Sequence, residues 1–275
     1  MISFPALVHT HTSFTRGLVT IAVGVLAVSL SAQTAPPQTY KPEVGQAGKD
    51  VVWVPTADTL VKKMLDMAKM TPQDYVIDLG SGDGRTVIAA AKRGATAMGI
   101  EYNPDMVELS KKNAAAAGVS GKTTFIKADI FETDYSKATV LTLFLMPDIN
   151  LKLRPTILNM KPGTRVVSNS FNMGEWEPDE TANIEQECTS WCTAHLWIVP
   201  AKVDGIWASP QGELTLTQTF QMISGTLGTA PIANGKLRGN EISFTANGTT
   251  YTGRVNGSSM QGTTSTKGTW AATRR

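Results

Sequence analysis

The stretch Asp78-Leu79-Gly80-Ser81-Gly82-Asp83-Gly84-Arg85 decides how this chain folds. It ends a short apolar run, residues 76–79, and precedes an apolar helical pattern over residues 86–92. A strand, a glycine-rich turn and a helix in this order are typical of the first unit of an open parallel sheet. Three alternate glycines let the backbone turn sharply and approach a ligand closely, because no side chain stands in the way. The stretch therefore predicts a ligand-binding turn at the carboxyl end of a buried strand.

The spacing of these glycines indicates what the turn binds. A dinucleotide-binding turn has the pattern Gly-x-Gly-x-x-Gly, which places a pyrophosphate on a helix N-terminus. Here Arg85 stands at the last place of that pattern, and the third glycine comes one position early. Asp83 within the turn is poorly suited to a pyrophosphate, because like charges repel. It suits a cofactor with a cationic amino-acid end, such as S-adenosylmethionine.

Two further acids follow the next two predicted strands. Residues 97–100 form the second strand, and Glu101 at its end can accept hydrogen bonds from both hydroxyls of a ribose. Residues 124–126 form the third strand, which leads to Asp129 and Ile130; these can bind an adenine amino group and cover the ring. Ligands bind at the carboxyl ends of such strands, so three successive strand ends predict one cofactor pocket. The alternative is three unrelated solvated acids.

The pattern over residues 51–201 alternates strands and helices, which predicts an α/β domain with a doubly wound, seven-stranded, mostly parallel sheet. Asn103 and Pro104 suit the N-cap and the first position of one helix, and Thr56 is a candidate N-cap for an earlier one. The last two strands are predicted over residues 182–188 and 193–199.

Residues 202–275 have a different pattern, rich in Thr, Gly and Ser. Apolar and polar residues alternate there, and the hairpin dipeptides Asn-Gly and Gly-Asn recur. We expect a small antiparallel all-β domain, a meander of roughly five or six short strands.

The N-terminal region has the pattern of an export signal. Residues 17–30 are apolar, too short a run to span a bilayer comfortably, and suit a signal-peptide core. Residues 1–32 are therefore predicted to be a signal peptide or membrane anchor, and residues 33–50, rich in Pro, Gln and Thr, a linker. We expect a periplasmic or inner-membrane-anchored protein that meets the membrane only through this segment. A mis-assigned start codon would instead leave a cytoplasmic protein.

Composition excludes several function classes. A net charge of +2 without a run of Lys and Arg argues against nucleic-acid binding. Three His and two Cys are too few and too dispersed for a zinc site, so no metal is expected. His195 lies in an apolar run and is interpreted as a strand residue rather than a hydrolase base. Cys188 and Cys192 form either a bridge across a hairpin loop, in an oxidising compartment, or two free thiols.

Residues 51–200 resemble the class I S-adenosylmethionine-dependent methyltransferases, through the glycine turn, Glu101 and Asp129. Val54-Pro55-Thr56, Glu101-Tyr102-Asn103-Pro104 and the Trp176–Pro178 spacing are similar to the branch of protein-lysine methyltransferases that act on the mitochondrial adenine nucleotide translocase and the c-ring protein of ATP synthase. That branch lacks the β-rich tail, which looks like that of a set of bacterial methyltransferase-domain proteins. The resemblance implies that S-adenosylmethionine is bound by Pro55, Thr56, Asp78, Gly80, Ser81, Gly82, Asp83, Gly84, Glu101, Tyr102, Asn103, Asp129 and Ile130.

The acceptor of the methyl group is the open question. In this fold the end of the fourth strand, residues 144–148, faces the acceptor, and its apolar side chains either wall a channel or belong to the core. The acidic loop over residues 174–180 either attracts a cationic lysine or is simply solvated. A protein lysine is the expected acceptor; a small-molecule acceptor and a non-catalytic binding module with a vestigial pocket are the alternatives. No catalytic residue is assigned, and the acceptor-pocket candidates are Phe144, Met146, Pro147 and Trp176.

Overall fold

The computed structural model describes residues 9–13 and 40–275 of the chain. Apart from residues 9–13, the predicted signal or anchor segment lies outside the described residues. Within the described part of the chain, no helix is long and apolar enough to cross a membrane.

A seven-stranded sheet forms the α/β part of the molecule. Its strands lie in the order β3-β2-β1-β4-β5-β7-β6. Strands β1 to β5 are parallel, β7 runs antiparallel to β5, and β6 pairs antiparallel with β7, so that only β7 is reversed. The prediction of a mostly parallel, seven-stranded sheet is confirmed. The strands are β1 (Tyr75–Leu79), β2 (Thr96–Glu101), β3 (Thr123–Lys127), β4 (Val140–Leu143), β5 (Arg165–Asn169), β6 (Glu180–Asn183) and β7 (Thr193–Ile198).

Helices cover both faces of this sheet. Val76 of β1 packs in one apolar layer with Leu60 and Val87, whereas its neighbour Ile77 packs in a second layer with Ile149. Successive side chains of a strand point to opposite faces, so β1 is buried on both. The helices are α1 (Asp58–Met67), α2 (Arg85–Lys92), α3 (Pro104–Ala116) and α4 (Pro147–Leu158), with a short 3₁₀ turn over Ser120–Lys122.

The two predicted helix caps have different outcomes. The Asn103 side chain accepts a hydrogen bond from the backbone N–H of Asp105 at 2.9 Å, which confirms it as the N-cap of α3. The prediction for Thr56 is wrong, because α1 begins one residue later, after Ala57, without a side-chain cap. The Thr56 hydroxyl instead accepts a hydrogen bond from the buried side-chain amide of Asn169 at 3.3 Å.

The C-terminal region is a closed antiparallel β-barrel. Strand β10 pairs with both β9 and β12, and β8 pairs with β16 through Trp207 and Arg274, which closes a ring of eight strands. The all-β prediction is confirmed, and so is the meander, since successive strands pair antiparallel in chain order apart from the two-residue β11. The count of five or six strands is wrong, and the closing pair, which joins residues almost 70 positions apart, was not predicted. The strands are β8 (Gly205–Ala208), β9 (Leu214–Thr219), β10 (Met222–Leu227), β11 (Ala230–Pro231), β12 (Ala233–Arg238), β13 (Glu241–Ala246), β14 (Thr249–Asn256), β15 (Ser259–Thr264) and β16 (Thr269–Arg274).

Polar contacts join the barrel to the acidic loop over residues 174–180. The Gln221 side chain donates to the carbonyl of Glu177 at 2.8 Å. Lys236 pairs with the buried carboxylate of Asp179 at 3.4 Å. This loop therefore lies at the junction with the barrel.

Candidate functional site

A cleft lies at the carboxyl ends of the central strands. Strand β1 pairs with β2 on one side and β4 on the other, so the chain order reverses there, and ligands bind at such a switch point. Most residues assigned to the cofactor line this one cleft. They are Pro55, Thr56, Asp78, Gly80, Ser81, Gly82, Asp83, Glu101, Tyr102, Asn103, Asp129 and Ile130, and the acceptor candidates Phe144 and Met146 line it as well.

The glycine turn has the backbone geometry that its sequence predicts. Gly80, Gly82 and Gly84 all have positive φ angles, of 75°, 52° and 81°. A Cβ atom on Gly82 would lie 2.6 Å from the indole nitrogen of Trp53, so the turn and Trp53 pack closely only because Gly82 has no side chain. The turn is held against β2 by the Gly80 N–H, which donates to the carbonyl of Ile100 at 2.9 Å.

Gly84 has a different role from the one assigned to it. It does not line the cleft, and a Cβ atom there would lie 2.8 Å from the Phe125 ring and 2.9 Å from Ser110. The third glycine therefore lets α2 pack against β3 and α3, and this corrects its assignment to the cofactor.

Glu101 is fixed by two backbone donors. The N–H of Gly82 donates to one carboxylate oxygen and the N–H of Asn103 to the other, both at 2.9 Å. A carboxylate oxygen accepts more than one hydrogen bond, so each oxygen retains capacity for a ligand hydroxyl. The side chain is thus held in place before any ligand arrives.

Asp129 lines the same cleft. Its carboxylate accepts from the backbone N–H of Phe131 at 2.9 Å and pairs with Lys49 at 3.0 Å. The Phe131 N–H, and then Lys49, hold the pKa of Asp129 below its usual range. The partners Asp50 and Asp129 raise the pKa of Lys49 to about 12. Asp129 is therefore a permanent anion at neutral pH.

Asp78 is the buried acid beneath the glycine turn. The Thr142 hydroxyl donates to it at 2.6 Å. Burial, together with the charges of Glu101 and Asp83, raises the pKa of Asp78 to about 7, although the Thr142 bond opposes the shift. A nearby cationic group would reverse this by stabilising the carboxylate.

Asp83, by contrast, is already neutralised. Its two carboxylate oxygens accept from Arg85 at 3.0 Å and 2.7 Å, in a bidentate pair. Arg85 also donates to the carbonyl of Thr56 at 2.9 Å, so the pair ties the turn to the segment before α1. Of the two acids, Asp78 is the one whose charge is not balanced by a basic side chain.

These residues fit S-adenosylmethionine. The hydroxyl of Ser81, within the glycine turn, is buried without a hydrogen-bond partner among the described residues. Glu101 and Asp129 supply acceptors for a sugar and a base at separate points of the cleft. A buried unpartnered hydroxyl is costly unless a ligand satisfies it.

Part of the predicted linker also borders the cleft. Residues 46–53 line it, and within this segment Ala47 and Val52 form an isolated antiparallel bridge. The Lys49 ammonium lies 5.4 Å from the ring centroid of Tyr102 and 5.7 Å from that of Phe131. The only sequence signal for this contact was Trp53, a large apolar residue between the polar stretch and α1.

The part of the cleft that follows β4 and β5 is aromatic. Phe144, after β4, is joined by Phe171, after β5, and by Trp191, from the loop between β6 and β7. Sequence reasoning missed Phe171 and Trp191. The strand-end rule would have found Phe171, but Trp191 requires knowing that β7 runs antiparallel beside β5.

Two acceptor candidates are corrected. Trp176 is fully buried, with ring centroids 6.1 Å from Trp197 and 6.2 Å from Phe220, so its side chain has no face open to an acceptor. Pro147 begins α4 and does not line the cleft. His195 lies in β7, as expected, where its Nδ1 contacts the Thr181 hydroxyl at 3.0 Å and burial lowers its pKa.

Known proteins share this domain. Residues 78–180 match the family described as "ANTKMT methyltransferase domain". A protein-lysine N-methyltransferase of Saccharolobus islandicus (strain REY15A) is 41% identical over 138 residues, 49% of this chain and 86% of that protein. The mouse (Mus musculus) lysine N-methyltransferase of the ATP synthase c protein is 35% identical over 133 residues, 47% of this chain and 52% of that protein. The match thus spans about half of the mouse protein.

A solved structure covers the same region. The crystal structure of an RNA methyltransferase from Salinibacter ruber in complex with S-adenosyl-L-homocysteine is 45% identical, with a TM-score of 0.51. The match covers 55% of this chain and 96% of that one.

Fold, cleft and relatives define a class I methyltransferase whose cofactor is S-adenosylmethionine. Within that class, the chain belongs to the family of the ANTKMT methyltransferase domain, with the lysine methyltransferases of Saccharolobus islandicus and mouse among its relatives. The barrel over β8 to β16 lies beyond the matched family region.

Proposed function

We propose that this enzyme is a protein-lysine N-methyltransferase, which methylates the side-chain amine of a lysine in a protein acceptor. The observation that carries the proposal is the 41% identity to a protein-lysine N-methyltransferase over 86% of that protein. S-adenosylmethionine, when bound, supplies an activated methyl group, so the protein has to align the acceptor with it and exclude water.

In this proposal the cofactor is held by the polar half of the cleft. Glu101 binds the ribose hydroxyls, Asp129 binds the adenine amino group, and Ile130 covers the ring. Asp78 lies nearest the glycine turn and balances the charge of the amino-acid end. Each of these side chains except Ile130 is already fixed by a hydrogen bond from the protein, so binding costs little reorganisation.

The acceptor amine has to lose its proton before it attacks the methyl carbon. Among the described residues that line the cleft, the carboxylates belong to the cofactor half, whereas the residues after β4 and β5 that face the acceptor are apolar. An amine in apolar surroundings has a lowered pKa, because burial disfavours its charged form. We therefore propose that the acceptor enters as the charged amine and then loses its proton to solvent, with desolvation rather than a side-chain base favouring the loss.

We also propose that the protein is exported or membrane-anchored. The signal-like run over residues 17–30 supports this, as does the disulfide between Cys188 and Cys192, since disulfides persist in oxidising compartments. A fusion of residues 1–50 to alkaline phosphatase tests the proposal, because that reporter is active only outside the cytoplasm. A fusion that is inactive although stably produced would overturn it.

The acceptor class is tested with the full chain, radiolabelled S-adenosylmethionine and a cell extract. The extract is separated into protein, RNA and small-molecule fractions after reaction. Label is expected in protein, and acid hydrolysis should release it as methyl-lysine. A Glu101→Ala variant, which lacks the proposed ribose contact, is the control for labelling by other enzymes. Label confined to RNA or to small molecules would overturn the proposal.

A further inference from the structure

The cleft contains an aromatic group that the cofactor does not need. We propose that Phe144, Phe171 and Trp191 form the binding site for the acceptor amine, and that the Cys188–Cys192 disulfide is the device that positions Trp191 in it. This inference rests on the proposed function and names the residues that determine acceptor specificity. Trp191 would contact the acceptor, whereas the two cysteines would act only through Trp191.

The three rings form one mutual cluster. The ring centroids of Phe144 and Phe171 are 6.1 Å apart, those of Phe171 and Trp191 5.1 Å, and those of Phe144 and Trp191 6.3 Å. They come from three separate segments and line the same cleft as Gly80 and Glu101. Trp191 is 46% exposed, an unusual position for a large apolar side chain that has two aromatic neighbours.

A buried residue of α4 holds the backbone of Phe171 in place. The side-chain amide of Asn150 in α4 donates to the carbonyls of Phe171 and Asn172 at 3.3 Å and 3.2 Å, and Asn150 is fully buried. Phe144 directly follows β4. Phe144 and Phe171 are therefore positioned by the ends of sheet strands and by α4, whereas Trp191 lies on a loop.

The disulfide constrains that loop. Residues 184–192 connect β6 to β7, and the N–H of Ile184 donates to the carbonyl of Cys192 at 2.9 Å, which closes the loop at its base. Glu187 and Trp191 both have positive φ angles, of 56° and 58°, which are unfavourable for bulky residues. A backbone of this kind persists only where other bonds over-determine it, and the bridge to Cys192 supplies such a bond next to Trp191.

The chemistry of the cluster fits an alkylated or desolvated amine. Aromatic faces attract cationic nitrogen and pack against methylene groups. This attraction does not depend on how many N–H donors the nitrogen carries. A lysine side chain carries both features, a long apolar stem and a nitrogen at its end. An acceptor bound here would place that nitrogen at the apolar end of the cleft, near the cofactor half.

The test uses two small probes that differ in one atom and in charge. Choline has a quaternary nitrogen, and 3,3-dimethylbutan-1-ol has carbon in its place. Each is titrated into the full chain saturated with S-adenosylhomocysteine, and binding is measured by calorimetry. Choline should bind about threefold to thirtyfold more tightly than the alcohol, the range of cation–π energies.

Variants assign this preference to residues. Trp191→Phe should keep the preference for choline, Trp191→Ala should lose it, and both should keep the wild-type affinity for S-adenosylhomocysteine. The Cys188→Ser/Cys192→Ser double variant should resemble Trp191→Ala, as should wild-type protein treated with a phosphine reductant. With a protein substrate that the wild-type enzyme methylates, Trp191→Ala should raise KM more than it lowers kcat.

The outcomes separate this inference from the proposed function. Equal binding of the two probes, or an unchanged preference in Trp191→Ala, would overturn the amine site even if lysine methylation were found. A wild-type preference in both the double variant and the reduced protein would overturn the positioning role of the disulfide. Selective choline binding with label only in RNA would instead retain the amine site and overturn the proposed acceptor class.

Discussion

The two halves of the cleft are built in different ways. The cofactor half uses the ends of β1, β2 and β3, and its acids are held by backbone or hydroxyl donors of the same or neighbouring strands. The proposed acceptor half uses three aromatic residues from separate segments, one of them on a disulfide-bonded loop. A binding site for an invariant cofactor can be built into the sheet itself, whereas the proposed site for the acceptor lies on loops that can vary without disturbing the sheet.

The largest effect is expected from Gly84, which packs against neighbouring elements and does not line the cleft. Gly84→Ala should lower the free energy of unfolding by about 3 kcal/mol, because the new Cβ would meet Phe125 and Ser110 and the φ angle of 81° is unfavourable for alanine. Gly118→Ala is the matched control. Its φ is 71° but nothing lies within 4 Å of the new Cβ, so it should cost about 1 kcal/mol.

Denaturant unfolding measures both variants. Equal losses in the two would mean that backbone conformation alone matters and that the close packing of α2 against β3 does not contribute.

A smaller effect is expected from the ribose contact. Glu101→Ala should weaken binding of S-adenosylmethionine by about 1–3 kcal/mol, because it leaves two hydroxyls of the ligand and two backbone N–H donors without a partner. Calorimetry gives the dissociation constant. The probes of the aromatic cluster should still bind Glu101→Ala in the order seen for wild type, since that cluster lies in the other half. An unchanged dissociation constant would remove Glu101 from the site.

The sequence predicts more of the cofactor half than of the proposed acceptor half, because only the cofactor half is built from local patterns. Asp78 and Glu101 lie at the ends of β1 and β2, and Asp129 follows β3. The pattern of each strand is local, and the parallel order places all three acids at one edge. Trp191 reaches the cleft only because β7 returns antiparallel beside β5, which no local pattern encodes. The prediction that Trp176 contacts the acceptor is wrong because the acidic sequence around it does not reveal that Trp197 and Phe220 enclose its ring.

Closure of the barrel likewise cannot be predicted from local sequence patterns. Hairpin dipeptides predict neighbouring strands, but they carry no information on whether the last strand meets the first. The β8–β16 pair is a contact between residues 207–208 and 273–274, so closure becomes visible only in three dimensions. The contacts of Lys236 with Asp179 and of Gln221 with Glu177 likewise bring together segments that no local pattern connects.

The smallest expected effect concerns proton uptake in the cofactor half. The pKa of Asp78 is raised to about 7 by burial and by the neighbouring acids, so part of the free enzyme carries a proton there near neutral pH. The cationic amino-acid end of S-adenosylmethionine favours the ionised carboxylate, so the deprotonated enzyme is the form that binds. Affinity should therefore fall as the pH drops below 7, by about tenfold between pH 8 and pH 6, or about 1.4 kcal/mol.

Calorimetry at several pH values, in buffers of different ionisation enthalpy, measures both the affinity and the proton released on binding. Asp78→Asn should bind more weakly than wild type at pH 8 and should lose the pH dependence and proton release that exceed those of the ligand's own α-amino group, whose ordinary pKa is about 7.7–8.0. Choline binding in the aromatic half should not depend on pH over this range in either protein, because its three rings carry no titratable group. A pH-dependent affinity that survives in Asp78→Asn would assign the proton to another residue and would separate the charge of Asp78 from cofactor recognition.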